Sequence, residues 1–469
     1  MKKAKILFPV LLTAITIFNP SFAQIQVGGD IYGEEGDVSG QSVSLSGDGS
    51  RVAIGGPLND ENGENAGLVR VYDLAGGEWV QVGANIEGET AGERLGNYAV
   101  SLSSDGNRLA VGAPSNAENG LNSGKVRVFE LEEGDWVQVG GGLIGETGSY
   151  FGASVTLSEN GNRLVVGATR TAMLAGAVFT FDLVGGEWVQ AGAPIEGDMI
   201  NGIFGKEVAL SADGNRVAIL GQVYARVFEW NGASWIQIGS DFTAPSRIER
   251  FSFSANGERL AAIVVTGESI PTPLAVQVYE WNGADWLQIG LNIDLEKERN
   301  VSISEDGGRI VIGGGDIIIS SPGYVWIYDW IAGDWSQVGI VIEGDAMGDR
   351  CGDGLSLSSD GNRAAIGAPF NDGNGDASGQ VRVYDLSLLS RVETIIECEF
   401  MVFPNPTADI IQLPDAEYET LKVIDQLGRV LRIVNNSARK IDLSELPNGL
   451  YFLQVKRGSQ IRVQKVVKV

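Results

Sequence analysis

Short runs of Val, Ile, Leu and aromatic residues alternate with polar positions along most of the chain, and they return in the same order. One copy reads VSLSSDGNRLAVGAPSNAENGLNSGKVRVFELEEGDWVQVG, from Val100 to Gly140. A period of two predicts half-buried β-strands, and Asp-Gly or Asn-Gly between two runs predicts a tight hairpin turn. The turn glycines recur every 43 to 57 residues, at Gly49, Gly106, Gly161, Gly214, Gly257, Gly307 and Gly361. This interval predicts an array of similar supersecondary units.

Each unit contains four predicted strands. In the copy above they cover residues 98–103, 108–112, 125–131 and 136–140. Four antiparallel strands repeated around an axis are the blades of a β-propeller. The third strand recurs seven times, as VRVYD, VRVFE, VFTFD, ARVFE, VQVYE, VWIYD and VRVYD, whereas the fourth strand recurs with its Trp only six times.

The segment QIQVGGDIYGEEG, residues 24–36, supplies the missing strand, because it aligns with WVQVGANIEGETA at residues 79–91. We therefore predict an all-β protein whose seven-bladed propeller, residues 24–387, is closed by its N-terminal strand. Such closure would remove an exposed sheet edge. A linker (388–401) and a small C-terminal β-sandwich (402–469) are predicted to follow.

Residues 1–23 have the pattern of a secretory signal peptide. Three lysines precede an apolar run at residues 6–18, and the small-x-small sequence ending at Ala23 predicts cleavage between Ala23 and Gln24. A membrane anchor is the weaker alternative, because the run is too short to span comfortably. Since no later segment is apolar enough to cross a membrane, we expect no membrane span.

The charge is uneven along the chain. Residues 25–401 carry a net charge of −32, whereas residues 402–469 carry +3. Such acidity disfavours nucleic acid and anionic membranes as partners. It is compatible with divalent cations, basic proteins or neutral glycans, and equally with a simple role in solubility.

The sequence contains no histidine. This excludes Ser-His-Asp and Cys-His catalysis as well as zinc sites with histidine ligands. Any enzyme built on this chain would depend on carboxylates, Tyr, Lys or Arg. A pair of acids that breaks the repeat near the central channel would favour a glycosidase or lyase, but the sequence shows no convincing pair.

Some charged and aromatic residues occur at the same place in every unit. An Arg follows each turn, an acid ends each third strand, and a Trp opens six fourth strands. These residues could form a binding ring, but residues that every blade needs are more simply explained as scaffold that pairs and packs within or between blades.

Strand order separates two faces of the propeller. The turn face carries the short connections between strands 1 and 2 and between strands 3 and 4. The loop face carries the connections between strands 2 and 3 and between one blade and the next, and these vary in length. Variable loops on a rigid scaffold are the expected place for binding.

Two loops of that face have oxygen-bearing residues at alternate positions in NDENGENAG and NDGNGDASG. Calcium prefers several such oxygens on a glycine-bearing loop. The alternative is a pair of exposed Asn/Asp/Gly turns. Calcium is the one cofactor that the sequence suggests, and its candidate ligands are Asp60, Asn62, Glu64, Asp372, Asn374 and Asp376.

Cys351 and Cys398 are the two cysteines of the chain. Because export brings them into an oxidising environment, a disulfide between them would tie the linker back to the last blade. Two free thiols are the alternative.

Two resemblances to known families follow from these residues. Phe151-Gly152 with Val166-Gly167-Ala168, Phe204-Gly205, and the Gly-Ala-Pro sequences at 112–114 and 367–369 resemble the FG-GAP repeats of integrin-alpha-type propellers. The resemblance covers about residues 24–386 and implies adhesion. Integrin repeats hold calcium between strands 1 and 2, but here that connection is a bare turn, so those calcium sites are not implied.

The tail is similar to type A sorting domains of the type IX secretion system, which are found in Bacteroidetes. The similarity lies in Phe403, Pro404, Asn405 and Pro406, in LKVIDQLGRVL with Gly428, in IDLSELPNGLYFLQV with Gly449, and in the final KVVKV. It implies passage across the outer membrane and contact with the type IX machinery. Leu427-Gly428 and Asn448-Gly449 are independently hairpin signals.

We therefore expect a secreted or cell-surface protein, monomeric, that binds an unidentified extracellular protein or glycan without catalysis. The alternatives are a carboxylate-dependent polysaccharide-active enzyme on a propeller scaffold, and a passive structural component of a surface layer or matrix.

Overall fold

The computed structural model describes residues 24–171, 175–199, 202–244, 246–267, 273–296, 299–315 and 321–389, and in the C-terminal part residues 407, 410–412, 420–424, 430–435, 440–457 and 460–468. The predicted signal peptide with Ala23, and residues 390–401 of the predicted linker, lie outside the described residues. All the named elements are β-strands.

Seven antiparallel sheets follow one another, each with the ladder order 1-2-3-4. In blades 1 to 3 the fourth strand is split into two segments, which are the last two ranges given for each blade. Blade 1 consists of Ser42–Leu45, Arg51–Gly56, Leu68–Ala75, Glu78–Gln81 and Ile86–Glu87, and blade 2 of Val100–Leu102, Arg108–Ala113, Lys125–Glu132, Asp135–Gln138 and Leu143–Ile144. Blade 3 consists of Phe151–Leu157, Arg163–Ala168, Ala177–Val184, Glu187–Gln190 and Ile195–Glu196. In blades 4 to 6 the fourth strand is continuous. Blade 4 consists of Glu207–Leu210, Arg216–Leu220, Tyr224–Trp230 and Trp235–Thr243, and blade 5 of Ile248–Phe253, Arg259–Val265, Leu274–Trp281 and Trp286–Leu295. Blade 6 consists of Asn300–Ile303, Arg309–Gly314, Tyr324–Ile331 and Asp334–Glu343.

The seventh blade is closed by the N-terminus, as the sequence predicts. Its first three strands are Gly354–Leu357, Arg363–Ala368 and Gln380–Asp385, and its outer strand consists of Ile25–Gln26 and Ile31–Tyr32. Ile25 pairs with Asp385, and Ile31 pairs with Val381. The first strands of successive blades contact one another in an unbroken cycle from blade 1 to blade 7 and back. The predicted seven-bladed propeller is therefore confirmed.

The hydrophobic core lies between the blades. One cluster joins Ala53 and Val69 of blade 1 to Leu102 and Leu109 of blade 2, and another joins Ile31 and other residues of blade 7 to blade 1. Each sheet thus buries its faces against its two neighbours, which explains why second strands such as RLAVGA are almost continuously apolar.

The arginine after each turn joins two blades. The Arg51 guanidinium donates to Asp73 at 2.5 and 2.8 Å and to the carbonyl oxygen of Gly106, the next turn glycine, at 2.8 Å. All seven arginines donate to the following turn glycine, and Arg363 completes the cycle at Gly49. In six blades the arginine also pairs with the acid that ends the third strand. The interpretation of these residues as scaffold is confirmed.

The turn glycines are required for the same contact. They have φ values between 66° and 71°, which a side chain rarely adopts. A Cβ atom at Gly106 would lie 3.1 Å from the Arg51 Cδ atom, and one at Gly49 would lie 2.7 Å from that of Arg363. Glycine therefore provides both the turn conformation and the space for the neighbouring arginine.

The repeated tryptophans pack between blades. The Trp79 Nε1 atom donates to the carbonyl oxygen of Val27 in the preceding outer strand at 2.8 Å, and Trp136 donates in the same way to Val82 at 3.1 Å. Trp188 and Trp286 donate in the same way to Val139 and Ile238, and Trp235 donates to Thr180 Oγ1. Trp335 is buried in the apolar cluster between blades 5 and 6. The tryptophans therefore belong to the scaffold as expected.

The C-terminal part contains two antiparallel sheets. Ile410–Gln412 pairs with Lys440–Asp442, and the second sheet has the order Val430–Asn435, Thr420–Ile424, Gly449–Arg457, Gln460–Lys468. Their apolar faces share one cluster, in which Ile411 and Ile441 meet Leu421 and Leu453, so the predicted β-sandwich is confirmed. The strands on either side of Gly428 pair with each other. The hairpin predicted at Asn448-Gly449 is wrong, because Lys440–Asp442 pairs with Ile410–Gln412 instead of with Gly449–Arg457.

The contribution of the arginine contacts can be measured by urea unfolding. In the Arg309–Asp329 pair both side chains are buried, whereas Glu229 in the Arg216–Glu229 pair is 48% exposed. We expect Arg309→Met to lower the free energy of unfolding by about 3–5 kcal/mol, because Asp329 would remain buried without its partner. We expect the matched variant Arg216→Met to lower it by about 1 kcal/mol. Equal effects would contradict this assignment.

The closure of the ring can be tested by deleting residues 24–33. The deletion removes the outer strand of blade 7 and the acceptor of the Trp79 indole, so a large drop in the midpoint of thermal unfolding is expected. Ile25→Ser, at a side chain that is 54% exposed, is the control and should change little. An unchanged midpoint after the deletion would rule out this closure.

Candidate functional site

On the turn face the central channel is narrowed by a ring of backbone hydrogen bonds. The amide of Gly47 donates to the carbonyl of Ser104, Ser104 donates to Glu159, and the series returns from Ser359 to Gly47, with distances between 2.7 and 3.1 Å. An apolar ring and a cavity of about 160 Å³ adjoin it, with Leu45, Leu102, Leu157, Leu210, Phe253, Ile303 and Leu357 in the lining. Because the hydrogen bonds and the apolar lining repeat in every blade, they have little capacity to distinguish one ligand from another.

On the loop face the start of each first strand departs from the repeat. The strand registers align two positions at the start of each of these strands across the seven blades. Blades 1 to 3 have uncharged residues there: Gln41 and Ser42, Tyr98 and Ala99, Ala153 and Ser154. Blades 4 to 7 have mostly charged ones: Lys206 and Glu207, Glu249 and Arg250, Arg299 and Asn300, Asp353 and Gly354.

We call this group the channel mouth. It consists of Tyr98 and the charged residues Lys206, Glu207, Arg247, Glu249, Arg250, Arg299, Arg350 and Asp353.

Arg250 reaches across the axis of the propeller. Its guanidinium carbon lies 4.8 Å from the centre of the Tyr98 ring, and its Nη1 atom lies 3.6 Å from Glu207 Oε1. Tyr98 belongs to blade 2 and Arg250 to blade 5, so at least two blades separate them on either side of the ring. The cation–π contact therefore connects opposite walls of the channel.

Glu249 organises a second set of contacts. Its carboxylate accepts from Arg247 at 2.6 Å and from Arg299 at 3.0 Å, and its backbone carbonyl accepts from Lys206 Nζ at 2.8 Å. Three cations from blades 4, 5 and 6 are thereby held beside one carboxylate, which leaves positive charge in excess at this point.

Burial changes the proton affinities of this group. Desolvation raises the pKa of Asp353 to about 6, although Arg350, Arg250 and Arg299 and the backbone N–H of Gly315 oppose the shift. Desolvation also raises the pKa of Glu207, against the effect of Arg250. It lowers the pKa of Lys206, and Arg250 adds to that effect. Asp353 and Glu207 therefore lose their charge at a higher pH than exposed carboxyl groups do.

The local sequence explains the charges that blades 5 and 6 contribute. In blades 1, 2, 3, 4 and 7 a glycine with positive φ stands at the entry to the first strand: Gly40, Gly96, Gly152, Gly205 and Gly352. This glycine packs tightly on the preceding blade. For example, a Cβ atom on Gly55 of blade 1 would lie 2.5 Å from the carbonyl oxygen of Gly96 in blade 2. In blades 5 and 6 this place is taken by the segments containing Arg247 and Arg299, which brings charged side chains to the channel.

The six candidate calcium ligands lie on two exposed loops of the loop face, as expected, and the two loops are built alike. Asp60 accepts from the amide of Asn65 at 2.7 Å, and Asp372 accepts from that of Ala377 at 2.9 Å. Asn62 donates to the carbonyl of Gly88 and Asn374 to that of Gly33.

The backbone carbonyls of Glu64 and Asp376, and not their carboxylates, accept the amides of Gly92 and Gly36. Among the residues that the structure describes, no group of three or more Asp, Glu and Cys side chains is placed to share a metal ion. The calcium site stays a prediction, and these bonds give the loop residues a structural role.

The sequence interpretation missed two features. One is a buried acid that holds each neighbouring long loop through an asparagine amide, in the pairs Asp37–Asn59, Glu93–Asn116 and Asp349–Asn371, at 2.7 to 2.8 Å. Its signal is the acid that recurs in EEGD, TAGE and AMGD. The other is the channel mouth, whose signal is the loss of the Gly-containing entry in blades 5 and 6.

Cys351 is completely buried and occupies the position that Phe151 and Phe204 have in blades 3 and 4. Its sulfur lies 3.9 Å from the Arg382 guanidinium, and burial raises its pKa to about 12. The proposed partner Cys398 lies outside the described residues, so the disulfide stays a prediction.

The proposed sorting motif lies mostly outside the described residues. Phe403, Pro404, Asn405, Pro406 and Gly428 are among those left out, whereas Gly449 begins the strand Gly449–Arg457. Gln24, the residue predicted to follow the cleavage site, is buried and bonds with the backbone of Ile340 through its side-chain amide. Over the described part of the chain, no helix is both long and apolar enough to cross a membrane.

Comparison with known proteins identifies the tail. The family described as the secretion system C-terminal sorting domain matches residues 401–469. This match points to export by the type IX system, to contact with its machinery, and to an extracellular or cell-surface location. It does not extend to the propeller, so the resemblance to FG-GAP repeats stays a prediction.

No curated protein matches the chain. Among solved structures, the chain is similar to a putative 6-phosphogluconolactonase from Bacteroides uniformis, with 14% identity, a TM-score of 0.48, and coverage of 66% of this chain and 86% of that one. It is also similar to hydrazine synthase from Kuenenia stuttgartiensis, with 14% identity, a TM-score of 0.47, and coverage of 74% and 95%. Similarities at this level carry no argument about function.

The environment of Asp353 predicts a pH-dependent stability. Its pKa of about 6 in the folded protein lies above the value of about 3.9 in an unfolded chain. The stability that it contributes is therefore complete below about pH 4 and is lost as the pH rises through about 6. We expect Asp353→Asn to raise the midpoint of thermal unfolding at neutral pH, by a difference that shrinks towards about pH 4.

Asp334→Asn is the control with the opposite sign. The backbone amides of Leu291 and Trp335 lower the pKa of Asp334, so its contribution to stability is present at neutral pH and is lost in acid. That variant should lower the midpoint at neutral pH. A lowered midpoint for Asp353→Asn would show that burial does not destabilise the charged form of Asp353.

Proposed function

We propose that this protein is a secreted or cell-surface binding propeller, which contacts an extracellular ligand through the loop face around the channel mouth and performs no catalysis. The observation that carries the proposal is the break in the sevenfold repeat, which gathers eight charged side chains where the channel opens among the variable loops.

The scaffold supports this proposal by elimination. The repeated arginines, turn glycines and tryptophans are engaged in contacts between blades. The turn face repeats the same backbone hydrogen bonds and the same apolar lining in each blade. A specific ligand needs a surface that is not repeated, and the loop face with its channel mouth provides one. Export by the type IX system would place that surface outside the cell.

One observation favours a second candidate function, a carboxylate-dependent enzyme that acts on polysaccharides. Glu207, Glu249 and Asp353 break the repeat near the channel, and Asp353 has a pKa of about 6, which suits a general acid near neutral pH. Each carboxylate, however, is engaged with arginines or lies beside them. We therefore favour binding without catalysis.

The proposal can be tested by blocking one face at a time. In a Cys398→Ser background, Leu121→Cys places a thiol on the loop face, at a side chain that is 73% exposed, and Asp135→Cys places one on the turn face. Cys351 should not react, because it is buried and its pKa is about 12. Each protein is coupled to a large polyethylene glycol maleimide and applied to a panel of polysaccharides and matrix proteins.

We expect the unlabelled mature chain to bind at least one member of the panel, the loop-face conjugate to lose that binding, and the turn-face conjugate to keep it. Absence of binding across the panel would favour a passive structural protein. Release of reducing ends from a polysaccharide, lost in Asp353→Asn, would favour the enzyme.

A further inference from the structure

The channel mouth carries an excess of positive charge, although the protein as a whole is strongly acidic. Five cations, Lys206, Arg247, Arg250, Arg299 and Arg350, lie with three carboxylates, whereas residues 25–401 carry a net charge of −32. The loops that surround it on the same face carry exposed acids such as Asp60 and Asp372. A charged recess in a low-dielectric wall concentrates counter-ions of the opposite sign, so the mouth attracts an anion that the rest of the face repels.

The arginine at the centre of the mouth is held more loosely than an arginine of the neighbouring blade. Arg226, in the third strand of blade 4, donates two hydrogen bonds of 2.7 and 2.8 Å to the carboxylate of Asp241. Arg250 approaches Glu207 only to 3.6 Å, and burial raises the pKa of that carboxyl group. A carboxylate or sulfate offers an arginine two acceptors in its own plane, so a ligand of this kind would pair better with Arg250 than Glu207 does.

An aromatic surface lies next to this arginine. Tyr98 is 43% exposed and has a positive φ of 56°, and its ring lies beneath the Arg250 guanidinium at 4.8 Å. An apolar ring face beside a cation suits a ligand that itself combines an apolar face with an anionic group. A sugar ring that bears a carboxylate has both parts.

The acidic loops around the channel mouth limit the size of the anion that can bind there. The acidic loops around the mouth disfavour a long polyanion lying across the face, since its other charges would meet carboxylates. A single anionic residue, free or at a chain end, can enter without that repulsion.

We propose that the channel mouth binds the anionic group of an acidic saccharide, with Arg250 and its neighbouring cations holding the carboxylate or sulfate and Tyr98 supporting the sugar ring. This inference rests on the proposed binding function and assigns it a class of ligand.

The test is calorimetric titration of the mature chain with galacturonate, with galactose as the uncharged counterpart and glucose 6-sulfate as the second anionic sugar. We expect galacturonate to bind and galactose to bind about tenfold more weakly or less, because a charge-assisted hydrogen bond is lost. Comparable binding of glucose 6-sulfate would define a general anion site, and its exclusion would narrow the class to carboxylates. Equal affinity for galactose and galacturonate would overturn the proposal.

Two arginine variants form a matched pair. Arg250→Gln should weaken the binding of galacturonate by about tenfold or more. Arg170→Gln should leave it unchanged, because Arg170 also lies on the loop face and over a tyrosine ring, that of Tyr150 at 4.9 Å, but outside the mouth. Unfolding midpoints of both variants show whether they fold. A well-folded Arg250→Gln variant with normal affinity would remove Arg250 from the site.

The pH dependence provides an independent readout. Asp353 faces Arg350 of its own segment, Arg299 of blade 6, Arg250 of blade 5 and the Gly315 amide. Its protonation below about pH 6 removes a negative charge from the mouth, so affinity for galacturonate should rise from neutral pH to about pH 5. Asp353→Asn should bind more tightly at neutral pH and lose most of this dependence. A pH dependence that is unchanged in Asp353→Asn would contradict its role.

Failure of this inference is separable from failure of the proposed function. The panel could show binding that the loop-face conjugate loses, while galacturonate does not bind. The binding function would then stand, and the assignment of an acidic saccharide as the ligand would be wrong. Equally tight binding of a short acidic peptide would also reject the saccharide, because the sugar ring would then contribute nothing.

Discussion

The hydrogen bond from each arginine to the turn glycine of the next blade is the constraint on which the rest of the structure depends. It needs a carbonyl that a tight turn presents outwards and a residue without Cβ at that turn. In six of the seven blades an acid of the same blade also aligns the guanidinium. Seven such contacts form a cycle only if the last blade returns to the first, which Arg363 achieves at Gly49. Since all seven copies must satisfy the same geometry, substitutions at these positions are strongly limited, and the repeated residues are left with little freedom for recognition.

The position of the candidate site follows from this constraint. The turn face is held by the arginine contacts and by a ring of backbone hydrogen bonds, so its surface is repeated and closed. The loop face is held by glycine contacts between neighbouring blades, and blades 5 and 6 lack the entry glycine. Long charged side chains such as Arg250 and Arg299 reach the axis from these two blades. The loss of the entry glycine in blades 5 and 6 thus accounts for the part of the channel mouth that these two blades contribute.

The sequence predicted the parts of the fold that depend on local pattern. Alternation, turn glycines and the orphan strand at residues 24–36 are local signals, and they yield seven blades and their closure. The contact between Arg250 and Tyr98 could not be predicted, because it joins blades 2 and 5, which meet only after the ring has closed. The hairpin expected at Asn448-Gly449 failed for a related reason: the turn signal is local, but the partner of Lys440–Asp442 is the distant strand Ile410–Gln412.

The same distinction governs the electrostatics of the protein. The net charge of −32 over residues 25–401 is a property of the sequence, and by itself it favours cationic partners. The field that a ligand meets depends on which charges are brought together. Arg247 and Arg299 share the carboxylate of Glu249, and Lys206 donates to the backbone carbonyl of the same residue. Burial favours the neutral form of Asp353. Because exposed charges are screened within about 10 Å in salt, an anion at the mouth responds mainly to these neighbours. An acidic protein can therefore present a cationic site, and the overall charge then acts to exclude large polyanions from it.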